Sequence, residues 1–247
     1  MDQIRIDRVI RPELHENKYA LIAAGEFSVA PELVADRKHL WADWDHLEPD
    51  NYLKGGAHFR LRRFGLFYLL PSTGELLPLP PARYFQSAGI NTYAGGIERR
   101  FAPLLDATLA NQFLHKLIKF NFRQFPVDTQ MAHQPWEIDV HQFRIIATQD
   151  EQGEPTPEGM HHDGDDFNVI HLIRRRNATG GITTVYDNDR KPLASSTLSQ
   201  PMDSVLVWDP HVMHGVTPIR PKNPAESAIR DVLVIGYNHR PDLKRPS

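Results

Sequence analysis

Two textures follow one another in the pattern of apolar and polar positions. Over residues 30–47, apolar side chains fall at Leu33, Val34, Leu40, Trp41 and Trp44, spacings that give a helix one buried face, and Pro31 suits its first turn. Residues 59–70 are rich in aromatic and branched side chains and predict a strand. A turn at 71–74 and a return at 76–79 follow it. The clearest helical period runs over 97–122, through Phe101, Leu104, Leu105, Leu109, Phe113, Leu117 and Phe120, and Pro126 stops it. From Trp136 onward the runs shorten. Strands are predicted at 138–148, 167–173, 182–186, 205–208 and 232–237, with a polar loop at 149–159 and a turn at 177–181. That regular alternation of strand and turn predicts a β-sandwich or barrel, supported from outside by the earlier helices.

A chain of 247 residues with 40% apolar and 24% charged side chains can bury a core of useful size. With no internal repeat or linker, the expected organisation is one domain, 1–247. A mixed α/β elaboration would occupy 1–130, and a β core 131–247. The net charge of -3 has no basic footprint, which argues against nucleic acid; the longest basic run, Arg174 to Arg176, reads as a solvated strand edge. No apolar run approaches the roughly 18 residues of a membrane helix, and the charged N-terminal segment has no apolar signal-peptide core. The absence of cysteine excludes disulfides, thiolate zinc sites and cysteine nucleophiles, and fits a cytoplasmic setting.

The segment 155–167 carries the densest chemistry. On a strand, His161 and Asp163 project to one face and can share a metal. A third ligand must come from elsewhere, and residues 205–218 run a strand into a turn holding His211 and His214. Two histidines and one carboxylate leave three octahedral positions open, the donor set of non-haem iron(II) oxygenases. Arg230, beside the strand at 232–237, can offer a bidentate fork to a carboxylate; an exposed strand-edge arginine is the plainer alternative. His162 points to the opposite strand face. His171, among apolar residues, reads as a satisfied core histidine. His141 and Arg144 face opposite sides of their strand, and Arg144 reads either as a cavity-facing carboxylate reader or as a structural ion-pair partner. Asp165 and Asp166 read as partners of a ligating histidine or as solvated loop charges.

Four stretches resemble a known family: residues 140–145 (VHQFRI), 157–164 (PEGMHHDG), 176–183 (RNATGGIT), and 214–218 (HGVTP) with 230–234 (RDVLV). The chain is similar to the 2-oxoglutarate/Fe(II)-dependent dioxygenases, and within them to the bacterial branch that hydroxylates free amino acids, isoleucine 4-hydroxylases included. Residues 84–87 (YFQS) with Asn91 look similar too. The likeness is strongest over the last 110 or so residues. It implies a double-stranded β-helix (jelly-roll) core, so the expected class is mainly β (α+β). It implies Fe(II), 2-oxoglutarate and O2, with iron on His161, Asp163 and His214; the Gly-Val-Thr-Pro after His214 favours it over His211. Arg230 would hold the distal carboxylate of 2-oxoglutarate, which is decarboxylated to succinate as an unactivated C–H bond is hydroxylated. The implied substrate is a free L-amino acid such as isoleucine, leucine or methionine. Arg144 is the candidate for its carboxylate, and Gln86 or Asp165 for its ammonium group. Asn91 is a further contact, and Phe85, Tyr93 or Phe143 would wall its side chain. The rival readings are another cupin-type metalloenzyme, holding zinc or manganese, and a non-catalytic barrel with a regulatory or stress role.

Overall fold

The computed structural model describes residues 3–246, so Met1, Asp2 and Ser247 of the expected 1–247 domain lie outside the described residues. The N-terminal portion carries β1 (Ile4–Ile6), α1 (Arg11–Asn17), β2 (Tyr19–Ile22), β3 (Phe27–Val29), α2 (Val34–Ala42) and β4 (Glu48–Pro49). Two hairpins follow: β5 (Arg60–Leu70) with β6 (Glu75–Pro78), and β7 (Tyr84–Phe85) with β8 (Glu98–Arg99). After the helices α3 (Asp106–Leu109), α4 (Gln112–Phe122) and α5 (Thr129–Ala132) come the strands β9 (Trp136–Ala147), β10 (Phe167–Arg176), β11 (Ala178–Gly180) and β12 (Ile182–Tyr186). The chain continues through β13 (Pro192–Thr197), β14 (Ser204–Val207), β15 (Met213–Val216), β16 (Ile219–Pro221) and β17 (Ala228–His239).

These strands make a jelly roll. The large sheet has the order β2-β14-β10-β17-β9-β5-β4, with β6 also on β5, and the small sheet has the order β13-β12-β15. Four strands of the large sheet, β2, β4, β5 and β6, precede residue 130, so the expected elaboration supplies part of the sheet itself. Strand parity decides what each face does. On β9, Ile138 and Val140 are fully buried in one core with Leu233, Ile235 and Tyr237 of β17 and with Phe113, Leu117 and Ile118 of α4. The alternate residues Asp139, His141, Phe143 and Ile145 line a cavity that residues of the small sheet also line.

The predicted helix over 97–122 forms only in its second half. Asn111 caps α4, its side chain accepting from the Leu114 N–H, and the apolar period follows. Upstream, the chain runs beside β5 instead: the Phe64 N–H donates to Ala102 O, and the Leu104 N–H to Phe64 O. Pro103 has no N–H to give a helix, and the apolar side chains of this stretch pack from an extended chain. The predicted helix at 30–47 is α2 flanked by short 3-10 turns at Pro31–Leu33 and Asp43–His46. The strands expected from Trp136 onward are found, most of them longer than predicted. Short edge strands such as β13 and β16 went unread because they are half exposed and carry little pattern. No helix among the described residues is long and apolar enough to cross a membrane.

His171 on β10 is fully buried, between Ser204 Oγ at 2.6 Å from Nδ1 and Asn121 Nδ2 at 3.0 Å from Nε2. Burial lowers its pKa to about 3. Below pH ~6.5 the unfolded chain therefore takes a proton that the folded chain refuses, and stability falls with pH by about 1.4 kcal/mol per unit until the folded pKa is reached. His171→Gln should shrink the loss of stability between pH 7 and pH 5 by about 2 kcal/mol. Urea midpoints at the two pH values read this directly, and an unchanged difference would contradict it.

Candidate metal centre

The two histidines meet through the backbone. His161 and His214 form an isolated antiparallel bridge, each N–H donating to the other's carbonyl at 2.9 and 3.0 Å. Across such a pair side chains stand close together, and the two rings lie 4.6 Å apart. Asp163 reaches both: Oδ1 is 3.2 Å from His161 Nε2, and Oδ2 is 3.4 Å from His214 Nε2. One ligand atom from each residue lies within 4.8 Å of the others. A strand holding His161 and Asp163 on one face does not exist, because extended pairing stops at His161. Asp163 sits in a bend that Asp209 fixes, Oδ1 accepting the Asp163 N–H at 2.9 Å and Oδ2 the Gly164 N–H at 2.8 Å. Gly164, at φ +91°, lets the chain turn there.

The electrostatics suit a cation. Burial opposes charge on Asp163, but His214 and His161 outweigh it and hold the carboxyl well below its usual range. Burial also disfavours the charged form of His161, yet the hydrogen bond and charge of Asp163, with Glu158 nearby, raise it to about 9. Burial brings His214 down to about 4, so it is neutral and free to ligate. Asp209 rises to about 6 through burial and the charge of Asp163. Only a carboxylate offers two acceptors to the bend, so Asp209→Asn should loosen it and weaken iron binding roughly 10- to 100-fold. Titration with Fe(II) under nitrogen measures this, and wild-type affinity would refute the positioning role.

Arg230 lies inside β17, not at a strand edge, and is 2% exposed. Its Nε and Nη2 have no hydrogen-bond partner, and neither has the Oγ1 of Thr183, which is also buried and lines the same cavity. Burial, with the charge of Arg175, lowers Arg230 to about 10, still protonated at neutral pH. A buried guanidinium without a partner is costly unless an anion completes it. The donor set and this unsatisfied fork together fit a metal and a carboxylate-bearing cosubstrate.

The other predicted residues divide sharply. His211 is exposed and packs on Trp208, with ring centres 4.5 Å apart, away from the cluster. His162 turns to the Asp209 carbonyl. Arg144, a candidate for the substrate carboxylate, faces the opposite side of β9 from the cavity. It forms a bidentate pair with Asp231 at 2.8 Å for both bonds, which corrects the cavity-facing alternative. Gln86 and Asn91 line the cavity, but their polar atoms are engaged. Gln86 Nε2 donates to Asp163 O, and its Oε1 accepts from Asn91 and Arg99; Asn91 Oδ1 accepts from the N–H groups of Tyr93 and Ala94. Phe85 is 59% exposed, and Tyr93 hydrogen-bonds the Lys54 N–H; neither lines the cavity, whereas Phe143 does. Asp165 is at the cavity, its carboxyl pushed well above the usual range by burial and by Asp139 and Asp163. Sequence reading passed over Arg62, Arg99, Asp139, Thr183 and Asp209. For Asp139 a signal existed: it shares the polar parity of β9 with His141.

Comparison with known proteins agrees with this centre. Residues 42–236 match the family described as 2OG-Fe dioxygenase, and the chain belongs to that family. It is an enzyme of the 2-oxoglutarate-dependent dioxygenase class, with Fe(II), 2-oxoglutarate and O2 as the family's requirements. Among named relatives it is similar to the L-isoleucine-4-hydroxylase of Bacillus thuringiensis, 26% identical over 201 residues, which span 80% of this chain and 81% of the relative. It is also similar to the 3(1)-hydroxy-L-isoleucine 4-dioxygenase of Pantoea ananatis (strain AJ13355), 27% identical over 62% of this chain and 63% of the relative. The crystal structure of a bsmA homologue from Methylobium petroleophilum PM1 superposes with a TM-score of 0.79 at 30% identity, covering 96% of this chain and 94% of that one. That of IDO from Bacillus thuringiensis superposes with a TM-score of 0.78 at 20% identity, covering 94% and 98%.

Proposed function

We propose that the protein hydroxylates an unactivated side-chain carbon of a free aliphatic L-amino acid, such as isoleucine, leucine or methionine. In this reading His161, Asp163 and His214 hold the iron, and Arg230, with Thr183 of the same cavity lining, takes the distal carboxylate of 2-oxoglutarate. The observation that carries it is the sharing of one cavity, about 110 Å³ in volume, by the three-residue cluster and the unpartnered Arg230. Bound iron with 2-oxoglutarate and O2 would supply the oxidising power. The protein's part is placement. Val232, Val234 and Ile170 offer apolar wall, and Asp163 holds the two imidazoles close together. A small cavity that sets charged and polar groups opposite a stretch of apolar wall suits a small substrate with a polar head and an apolar side chain. The two named hydroxylase relatives, whose names concern isoleucine or a hydroxylated isoleucine, support the amino-acid class. A cytoplasmic setting, with neither nucleic acid nor membrane as partner, belongs to the same proposal.

The test is a panel of free L-amino acids with Fe(II), 2-oxoglutarate and ascorbate, following succinate release. Stimulation by an aliphatic member is expected. A cosubstrate turnover that no free amino acid raises would remove the substrate class and leave the family reaction in place.

A further inference from the structure

Beyond the iron cluster and Arg230, the cavity contains a second set of buried charges. Arg62 on β5 is 3% exposed and Arg99 on β8 is 2% exposed; both line the cavity, and the Nε of each has no partner. Arg62, Arg60 and Arg99 have little to neutralise them. Asp50 accepts from Arg60 Nε at 2.8 Å and lies 3.6 Å from Arg62 Nη1, while Arg99 Nη2 donates to the neutral Gln86. Aromatic faces hold the Arg62 guanidinium, 3.5 Å from the centre of the Phe101 ring and 4.5 Å from that of Phe143. These contacts fix the group without completing its donors.

The opposite charge stands one ring away. Arg62 Nη2 is 2.7 Å from His141 Nδ1, and His141 Nε2 is 3.3 Å from Asp139 Oδ1. Arg62 can only donate, so His141 Nδ1 accepts and Nε2–H donates to Asp139. His141 is thereby held as the neutral tautomer, stacked between Phe64 and Phe143. Asp165 joins Asp139 at the far end. Asn238 Nδ2 donates to Asp165 at 2.8 Å and to Asp139 at 3.5 Å. Both carboxylates crowd over Gly236, where an added Cβ would lie 2.4 Å from Asp165 and 2.6 Å from Asp139. Neither carboxylate has an Arg or Lys partner among the ion pairs of the described residues.

Register separates this set from the cosubstrate fork. Across the large sheet Arg230 pairs with Ile145 and Ile145 with Arg60, while Val232 pairs with Phe143 and Phe143 with Arg62. Arg62 is therefore two strands from Arg230, on the order of 10 Å. An anion on Arg62 does not compete with one on Arg230.

We infer that the Arg62–His141–Asp139 chain reads the head group of a zwitterionic α-amino acid, Arg62 with Arg99 taking the carboxylate and Asp139 with Asp165 the ammonium group. An α-amino acid carries its two charges on one carbon, and a single imidazole separates the complementary pair here. The side chain is then left to reach toward the three-residue cluster. The inference rests on the amino-acid reading above, and it replaces Arg144 and Gln86 as readers of the two charges.

The experiment uses the full chain with Fe(II), 2-oxoglutarate and O2. The free amino acid giving the fastest succinate release is compared with its des-amino acid and its decarboxylated amine. The wild-type protein should prefer the intact amino acid to both. Asp139→Asn should raise KM for the amino acid about tenfold or more and erode the preference over the des-amino acid. Arg62→Gln should do the same and erode the preference over the amine instead. If Arg62→Gln does not fold, Arg62→Lys, which keeps the charge and loses the fork, carries the test. Affinity for 2-oxoglutarate, measured by anaerobic calorimetry, should stay near wild type in every variant. Equal loss toward all three compounds would overturn the inference, as would a des-amino acid or amine that serves the wild-type protein as well as the amino acid. Absence of any 2-oxoglutarate binding in the wild-type protein would instead sink the parent reading.

Discussion

Asp163→Ala is expected to bring 2-oxoglutarate turnover down to background and to abolish tight iron binding. Asp163 is the one residue of the cluster whose two oxygens face both histidines, at 3.2 and 3.4 Å. Without it two imidazoles remain, and the carboxylate of the iron donor set is lost. His161→Ala and His214→Ala should have the same outcome, whereas His211→Ala and His162→Ala should keep iron. Metal content after anaerobic loading, with circular dichroism to confirm folding, separates these cases. Loss of iron in His211→Ala with retention in His214→Ala would show that the third ligand is misassigned.

Arg230→Ala should raise KM for 2-oxoglutarate at least tens-fold while iron binding stays near normal. Its Nε and Nη2 are buried and unpartnered, so a carboxylate arriving there gains a charged, largely desolvated contact. Losing one partner of such a pair costs on the order of 2–5 kcal/mol, and about 1.4 kcal/mol is already tenfold. Arg230→Lys should fall between, because a lysine keeps the charge without the fork. An unchanged KM would rule the role out.

The parts of this architecture legible in the sequence are those whose signal is periodic or compact. The second half of the helix at 97–122 and the long strands β5, β9, β10 and β17 announce themselves through apolar spacing. His161, Asp163 and His214 stand out as chemistry-bearing residue types beside turn residues, and the structure brings them together, although by a backbone bridge and an Asp209-held bend. What could not be read depends on which face of a strand is covered. His141 and Arg144 lie on opposite faces of β9, and only the packing of α4 shows that the even-numbered face is the helix-covered one. Arg144 therefore meets Asp231, and His141 meets the cavity. Arg62 and Arg99 come from strands far apart in sequence, and nothing in local spacing marks two arginines as sharing the Phe101 ring.

The most direct test of the central claim is turnover under 18O2 with the free amino acid that best stimulates succinate release. The account predicts one labelled oxygen in the hydroxylated amino acid and one in succinate, formed in near-equal amounts. Labelled succinate with no oxygen gained by any free amino acid, or a hydroxylated product formed without 2-oxoglutarate, would contradict it.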